Sequence, residues 1–373
     1  MFLPLMGKEM KYQLKGITFY LFFGIVLLFY FTQFVPSMEI PKPPVANSQG
    51  VYGFVPMEDQ GDKMKAVYNW MTQDVQRGEI LTYGFMINKE VRLSEEKKQF
   101  IQEAMNRLAS QGEISVSYEE FLTIVGDLDQ KLGGSTTYSD EWRDDSLRRP
   151  MTYEEAVQKY KDLIEKDKVT GAFGRLFADY MGITAGIFPI FLGAFVLTRD
   201  KRTRAHEIIY SRKISSITYV LSKYFGILTL VTLCYLVLAT ATTFYYMNMA
   251  STQNLVIDDL AFYKYTFAWI VPTAMFSIAL GMLVSVIFGN GIVAIPLQFV
   301  LWIQSMLPLQ GEYGLSKMVV RFNGLGFTEE YLSWFNAIAM NRVFYAALSL
   351  GILFLVAWVW SMKRGVGNGP RKV

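Results

Sequence analysis

The stretch YTFAWIVPTAMFSIALGMLVSVIFGNGIVAIPLQFVLWIQSMLPLQG, residues 265–311, runs for 47 residues without an Asp, Glu, Lys, Arg or His. A helix rises about 1.5 Å per residue, so about 20 residues cross a hydrocarbon core of roughly 30 Å. The stretch is long enough for two crossings. Gly289, Asn290 and Gly291 lie where a tight hairpin would turn. The reading is two membrane helices, 265–288 and 292–309.

Four more charge-free windows lie on either side, at 16–38, 180–198, 224–257 and 343–362. Each holds one further crossing, at about 17–35, 180–198, 224–247 and 343–362. The chain is 52% hydrophobic and 18% charged, against roughly 25% charged in an average soluble domain. The clustering of those charges is what separates a membrane protein from one large soluble core. The sequence therefore predicts an all-α polytopic membrane protein with six transmembrane helices. The first apolar stretch, although preceded by Lys8, Lys11 and Lys15, exceeds a signal-peptide core and has no small-residue cleavage site after it. It reads as a retained span.

Positive residues near span ends resist translocation and so set orientation. They concentrate in the arm at 1–15, in the connection 199–215, and in the tail 363–373. With six spans, all three fall on the cytoplasmic side, and both termini are cytoplasmic. The segment 37–175 then lies outside, between helices 1 and 2. Its stretch 37–170 carries 17 basic and 24 acidic residues, net −7, while the rest of the chain is +10. The expected organisation is an amphipathic arm (1–15), helix 1 (16–36), an extracytoplasmic domain (37–175), helices 2 to 6 (176–362) and a cytoplasmic tail. An external segment at 310–341, mixed in polarity, is expected to form short re-entrant or interfacial helices. The expected location is a plasma membrane, most simply the bacterial cytoplasmic membrane.

The external domain reads as mainly helical. Ser117 with Glu120, and Thr152 with Glu155, have the spacing of a capping box. Three apolar stripes recur at helical spacing: Met64, Val67, Met71; Ile101, Met105, Leu108; and Phe121, Val125, Leu128. Residues 79–90 alternate in places and suggest a short strand. Prolines 36, 41, 43, 44 and 56 make the entry an extended tether. Cys234 is the only cysteine and lies within a span, so no intrachain disulfide supports this domain.

Chemistry is sparse. The only histidine, His206, has no partner at metal-binding spacing, GEISVSYEEF at 112–121 fails the calcium-loop rule, and there is no GxxxxGK[ST] run. No cofactor, metal or catalytic residue is expected, and the chain by itself is not an enzyme. Nucleic-acid binding is not expected either, because the basic runs are juxtamembrane and lack stacking aromatics. Arg175, Asp179, Lys223, Lys264 and Arg342 fall near span ends, with Arg175 and Asp179 spaced for an i to i+4 pair. Pro189, Pro272 and Pro296 lie within spans and read as ordinary kinks.

The connection RDKRTRAHEIIYSRKISSITYVLSKYFG, residues 199–226, resembles the loop between the second and third spans of ABC-2 type permeases. That loop commonly shows a Glu, an aliphatic run, a Ser, a Pro-Ile-Ser-like turn and a Gly-Lys. Glu207, Ile208, Ile209, Ser211, Ile214, Ser215 and Lys223 stand in those places, while Lys213 and Ser222 replace the usual Pro and Gly. The resemblance implies a permease whose cytoplasmic helix, at about 200–210, docks on a separate P-loop nucleotide-binding (ATPase) subunit. Asp200, Arg202, Arg204, His206, Glu207, Ile208, Ile209 and Tyr210 would carry that coupling. ATP and Mg would be bound by the partner. A second permease copy or a homologue would complete the path, surrounded by membrane lipid. The implied function is outward export of a peptide antibiotic, a drug or a lipid. The alternatives are a mechanotransmission subunit that moves no cargo, or a membrane sensor or receptor.

Overall fold

The structure is a computed structural model that describes residues 1–46, 50–84, 88–110, 113–202, 214–306 and 313–367. It is mostly helical and divides into two compact units, Met1–Lys42 with Gln158–Val373, and Pro43–Val157. Among the described residues, five helical stretches are long and apolar enough to cross a bilayer, and a shorter apolar helix covers Gly291–Met306.

The chain opens with helix α1 (Phe2–Gln13), which buries its polar residues Glu9 and Gln13. Gly16 takes an extended conformation and starts α2 (Ile17–Phe29). A π-helical turn at Tyr30–Phe34 and a 3-10 turn at Val35–Ser37 complete this first apolar stretch. Phe19, Phe22, Val26, Tyr30 and Phe34 are buried, whereas Tyr20, Leu21, Leu28 and Phe31 are exposed. That is one packed stripe on an otherwise lipid-compatible helix.

The Pro43–Val157 unit has its own core. Helices α3 (Gln60–Arg77), α4 (Glu95–Leu108) and α5 (Tyr118–Leu132) begin at Asp59, Ser94 and Ser117, whose side chains accept the backbone N–H three residues on. Gly78 and Gly133 end α3 and α5 in the left-handed conformation that glycine adopts without steric cost. The three apolar stripes meet: Val67, Met71, Ile101, Leu108, Phe121 and Val125 are fully buried. After α6 (Asp140–Ser146), Thr152 and Glu155 exchange two bonds of 2.9 and 3.2 Å at the start of α7 (Tyr153–Lys161). The single strand expected at 79–90 is an antiparallel hairpin, Glu79–Thr82 against Lys89–Arg92. Its alternation belongs to two strands. Two shorter ribbons, Phe54–Pro56 with Arg148–Pro150 and Ala109–Ser110 with Glu113–Ile114, are too brief to leave a periodic signal.

Returning to the first unit, α8 (Thr170–Ile187) and α9 (Pro189–Arg202) form one apolar stretch. Then come α10 (Ser216–Gln253), α11 (Ala261–Tyr265), a π-helical turn at Thr266–Ile270, α12 (Val271–Phe288), α13 (Ala294–Met306) and α14 (Thr328–Gly367). Pro189, Pro272 and Pro296 fall at the first, second and third residues of α9, α12 and α13. A proline inside a helical run frees a carbonyl one turn back, and a π-helical turn or a bend just ahead of it absorbs the mismatch. Only Pro296 lies near a true helix start; Pro189 follows a bend at Phe188 inside the stretch Thr170–Asp200, and Pro272 follows the π-helical turn inside Ala261–Phe288, where both read as kinks within a span. Helix α9 crosses α12 where Gly193 faces the Ile278 carbonyl, and a Cβ on Gly281 would lie 2.8 Å from the Ile190 carbonyl. Without a hydrophobic drive between helices in lipid, such close backbone contact supplies the packing.

Two expectations are corrected here. Residues 313–327 contain no helix: Met318, Val319, Val320 and Phe322 are at most 2% exposed in an irregular strap. Its carbonyls are satisfied from outside, Gly314 and Lys317 by Asn341 Nδ2 at 2.6 and 2.9 Å and Met318 by Thr273 Oγ1 at 3.2 Å. Buried irregular backbone survives where protein groups replace the missing ladder. The second correction concerns Arg175 and Asp179, which do not pair with each other. Arg175 binds Asp167 through two bonds of 2.7 and 2.6 Å, and Asp179 accepts from Arg321 at 2.5 and 3.2 Å. Asp179 also accepts from the Phe322 amide at 3.1 Å. A desolvated carboxylate needs more than one donor, and the strap delivers two.

Candidate functional site

The connection implied to couple this chain to its partner leaves α9 and rejoins the described chain at Ile214, ahead of α10. Arg204, His206, Glu207, Ile208, Ile209 and Tyr210 lie outside the described residues. Arg202 closes α9, its side chain likewise outside the description. Asp200 is described, and it belongs to a buried charge cluster that joins both ends of that connection to α1.

Glu9 is the hub. It is the only acidic residue in the first fifteen and is 3% exposed. Its carboxylate accepts from Arg199 at 3.1 and 2.6 Å, from Lys223 at 3.0 Å and from Gln13 at 2.7 Å. Lys223 also pairs with Asp200 at 2.8 Å. The Tyr219 hydroxyl donates to Asp200, and the Tyr219 ring stacks on Trp360 of α14 with centroids 4.6 Å apart. The Arg199 guanidinium lies 3.6 Å from the Tyr12 ring centroid. Four helices, α1, α9, α10 and α14, thus meet at one point.

Local sequence explains the close approach. Gly226 on α10 faces α1, and a Cβ there would come within 3.1 Å of the Met6 carbonyl and of Glu9 Cβ. Ser215 caps α10 by accepting from the Thr218 amide at 3.1 Å. This fixes where the connection ends and places Tyr219 and Lys223 one turn apart on the face toward Asp200. Among the described residues, two acids and two bases meet here, and each carboxylate has at least two donors. Such a cluster ties the helix ends together, because removing one partner of a buried pair costs about 3–5 kcal/mol.

Asp200 and Lys223 stand out in the sequence, whereas Glu9, Arg199 and Tyr219 do not mark themselves there as members of a shared site. A lone acid among Lys8, Lys11 and Lys15 on an amphipathic helix was the available signal, because a membrane-surface helix has no electrostatic need for it.

Compared with known families, residues 3–319 match the family described as ABC-2 family transporter protein. No curated protein and no solved structure matches the chain.

Proposed function

Because the chain belongs to the ABC-2 family of transporter proteins, and so serves as a membrane-embedded permease component of an ABC system, we propose that it is the permease subunit of an ATP-driven exporter. Permeases of this family work with a nucleotide-binding ATPase subunit. In the proposed arrangement α13 is the fifth of six spans, both termini and the 203–213 connection face the cytoplasm, and the Pro43–Val157 unit faces outward. The partner binds ATP and Mg, two permease copies or homologues enclose the path, and an amphipathic cargo such as a peptide antibiotic, a drug or a lipid moves outward. The host membrane is a plasma membrane, bacterial in the simplest reading.

The observation that carries this reading is the Glu9 cluster. A force applied between residues 203 and 213 enters through α9 and α10, and Glu9, Arg199, Asp200 and Lys223 make those two helix ends and α1 move together. Asp200 belongs to the joint, and Arg202, Arg204, His206, Glu207, Ile208, Ile209 and Tyr210 form the face offered to the ATPase. Glu207→Arg is expected to lower cargo-stimulated ATP hydrolysis at least tenfold while leaving membrane insertion intact. Unchanged hydrolysis would remove the assignment.

A second reading, mechanotransmission without cargo, is favoured by the separate core of the Pro43–Val157 unit. Flux measured in vesicles holding permease and ATPase separates the two: ATP turnover without cargo movement would select mechanotransmission.

A further inference from the structure

A cleft of about 740 Å³ opens on the membrane unit between α11–α12 and α14, at the end opposite the Glu9 cluster. Lys166, Lys168, Lys264 and Arg342 line it, against only two carboxylates, Asp167 and Asp258. Most of this charge is already matched. Lys264 bonds Asp258 at 2.6 Å, Lys166 bonds Asp162 and Glu329, and Asp167 holds Arg175.

Two cations are left over. Arg342 is 5% exposed, yet its hydrogen bonds all end on neutral oxygens: the carbonyls of Trp269, Lys317 and Met318, Thr273 Oγ1 and Asn341 Oδ1. With its donors spent, it supplies positive potential rather than direct contact. Lys168 is exposed at the mouth, and no carboxylate pairs with it among the described residues. Burial works against ionisation of Asp258, but the Lys264 bond, the Leu260 amide and the positive field of Lys168 hold its carboxyl below the usual range.

The backbone at the mouth is also under constraint. Lys168 and Val169 both have positive φ, 47° and 59°, and the Thr170 amide donates to the Lys168 carbonyl at 2.5 Å. That is a γ-turn centred on a β-branched residue, a strained geometry of the kind that persists where the surroundings impose it.

The opposite lip is apolar. Phe267, Phe335 and Val343 are 55%, 49% and 70% exposed, on stretches long and apolar enough for lipid. Arg342 immediately precedes the charge-free run 343–362, so Val343 and Ala346 of the cleft face acyl chains, while Phe335, about two turns back along α14, stands at headgroup level. A soluble anion would use the cationic end and ignore the aromatic lip; an uncharged lipid would do the reverse.

We propose that this cleft holds an anionic phospholipid drawn from the adjacent leaflet, its phosphate between Lys168 and Arg342 and flanked by the Phe267 and Phe335 rings, with an acyl chain descending past Val343 and Ala346. The bound lipid is a resident component of the permease, distinct from exported cargo, and it supplies the missing counter-charge for Arg342.

The test uses the full chain purified in neutral detergent, with native mass spectrometry reading the fraction that retains dioleoyl phosphatidylglycerol or dioleoyl phosphatidylcholine. Phosphatidylglycerol is expected to be retained at least fivefold better. A Lys or Arg near a membrane surface contributes about fivefold in affinity for anionic lipid, so Lys168→Asn should lose about that factor. Asn also tolerates the left-handed backbone at this position, which keeps the variant foldable. Arg342→Gln, which leaves Lys168 in place, should lose a similar factor, about fivefold, and unchanged retention there would also overturn the proposal. Lys161→Asn, an exposed lysine that does not line the cleft, should change nothing. Equal retention of both lipids, unchanged retention in Lys168→Asn, or an equal loss in Lys161→Asn would each overturn the proposal. Displacement of phosphatidylglycerol by millimolar glycerol 3-phosphate would overturn it in favour of a soluble-phosphate site.

Discussion

At the residue scale, the decisive side chains are charged groups taken out of water, and their partners determine whether they stabilise the fold. Glu9 serves three donors, so Glu9→Gln leaves Arg199 and Lys223 short of negative charge and should cost about 3 kcal/mol. Thermal unfolding of the purified chain in detergent measures this; a loss below about 1 kcal/mol would mean that water already reaches the cluster. In the Pro43–Val157 unit the balance is reversed at Asp74. Burial raises its pKa above the ordinary carboxylate value, although the Tyr138 hydroxyl at 2.7 Å and nearby Arg77 work against the shift. The folded form therefore holds its proton to higher pH than the unfolded chain does. That contribution to stability is complete below about pH 4 and is lost as pH rises through the folded pKa. Asp74→Asn should flatten this dependence and leave the unit at least as stable at pH 7, by hydrogen exchange of α3 amides in the full chain. Tyr138→Phe should cost about 1–2 kcal/mol at that pH, because it strands a half-buried carboxylate.

At the element scale, the apolar helices and the capping residues were legible because both depend on local spacing. Charge-free runs, Ser117 and Thr152 before acidic third residues, and stripes such as Ile101, Met105 and Leu108 all act within a few turns of chain. The ion pairs were not legible. Asp179 meets Arg321 across 142 residues and Arg199 meets Glu9 across 190, and i to i+4 spacing offered Arg175 and Asp179 a nearer match that tertiary packing overrode. The strap at 313–327 escapes the sequence for a related reason. Its mixed polarity suggested interfacial helices, but its carbonyls are satisfied by Asn341, Arg342 and Thr273 on other segments. Glycine contacts make their own prediction. Gly281→Val would drive a side chain into the Ile190 carbonyl and should cost about 1–3 kcal/mol or more. Gly226→Leu should lift α1 from α10 and speed hydrogen exchange across Phe2–Gln13, and unchanged protection there would show that α1 is held by other contacts.

At the scale of the whole molecule, the proposed sidedness rests on positive charge near the span ends. In a Cys234→Ala background, a single cysteine at position 130 should react with a membrane-impermeant maleimide in intact cells, and one at position 207 only after lysis. The reverse pattern would invert the proposed orientation and detach the coupling assignment from its partner.

The joint at Glu9 has one more consequence. Since the helices on both sides of the 203–213 connection are fastened through Glu9 to the same short helix, its contents can be exchanged without dismantling them. Replacing those eleven residues by a slack glycine-serine tether should leave a well-assembled protein in which the drive shaft has been cut.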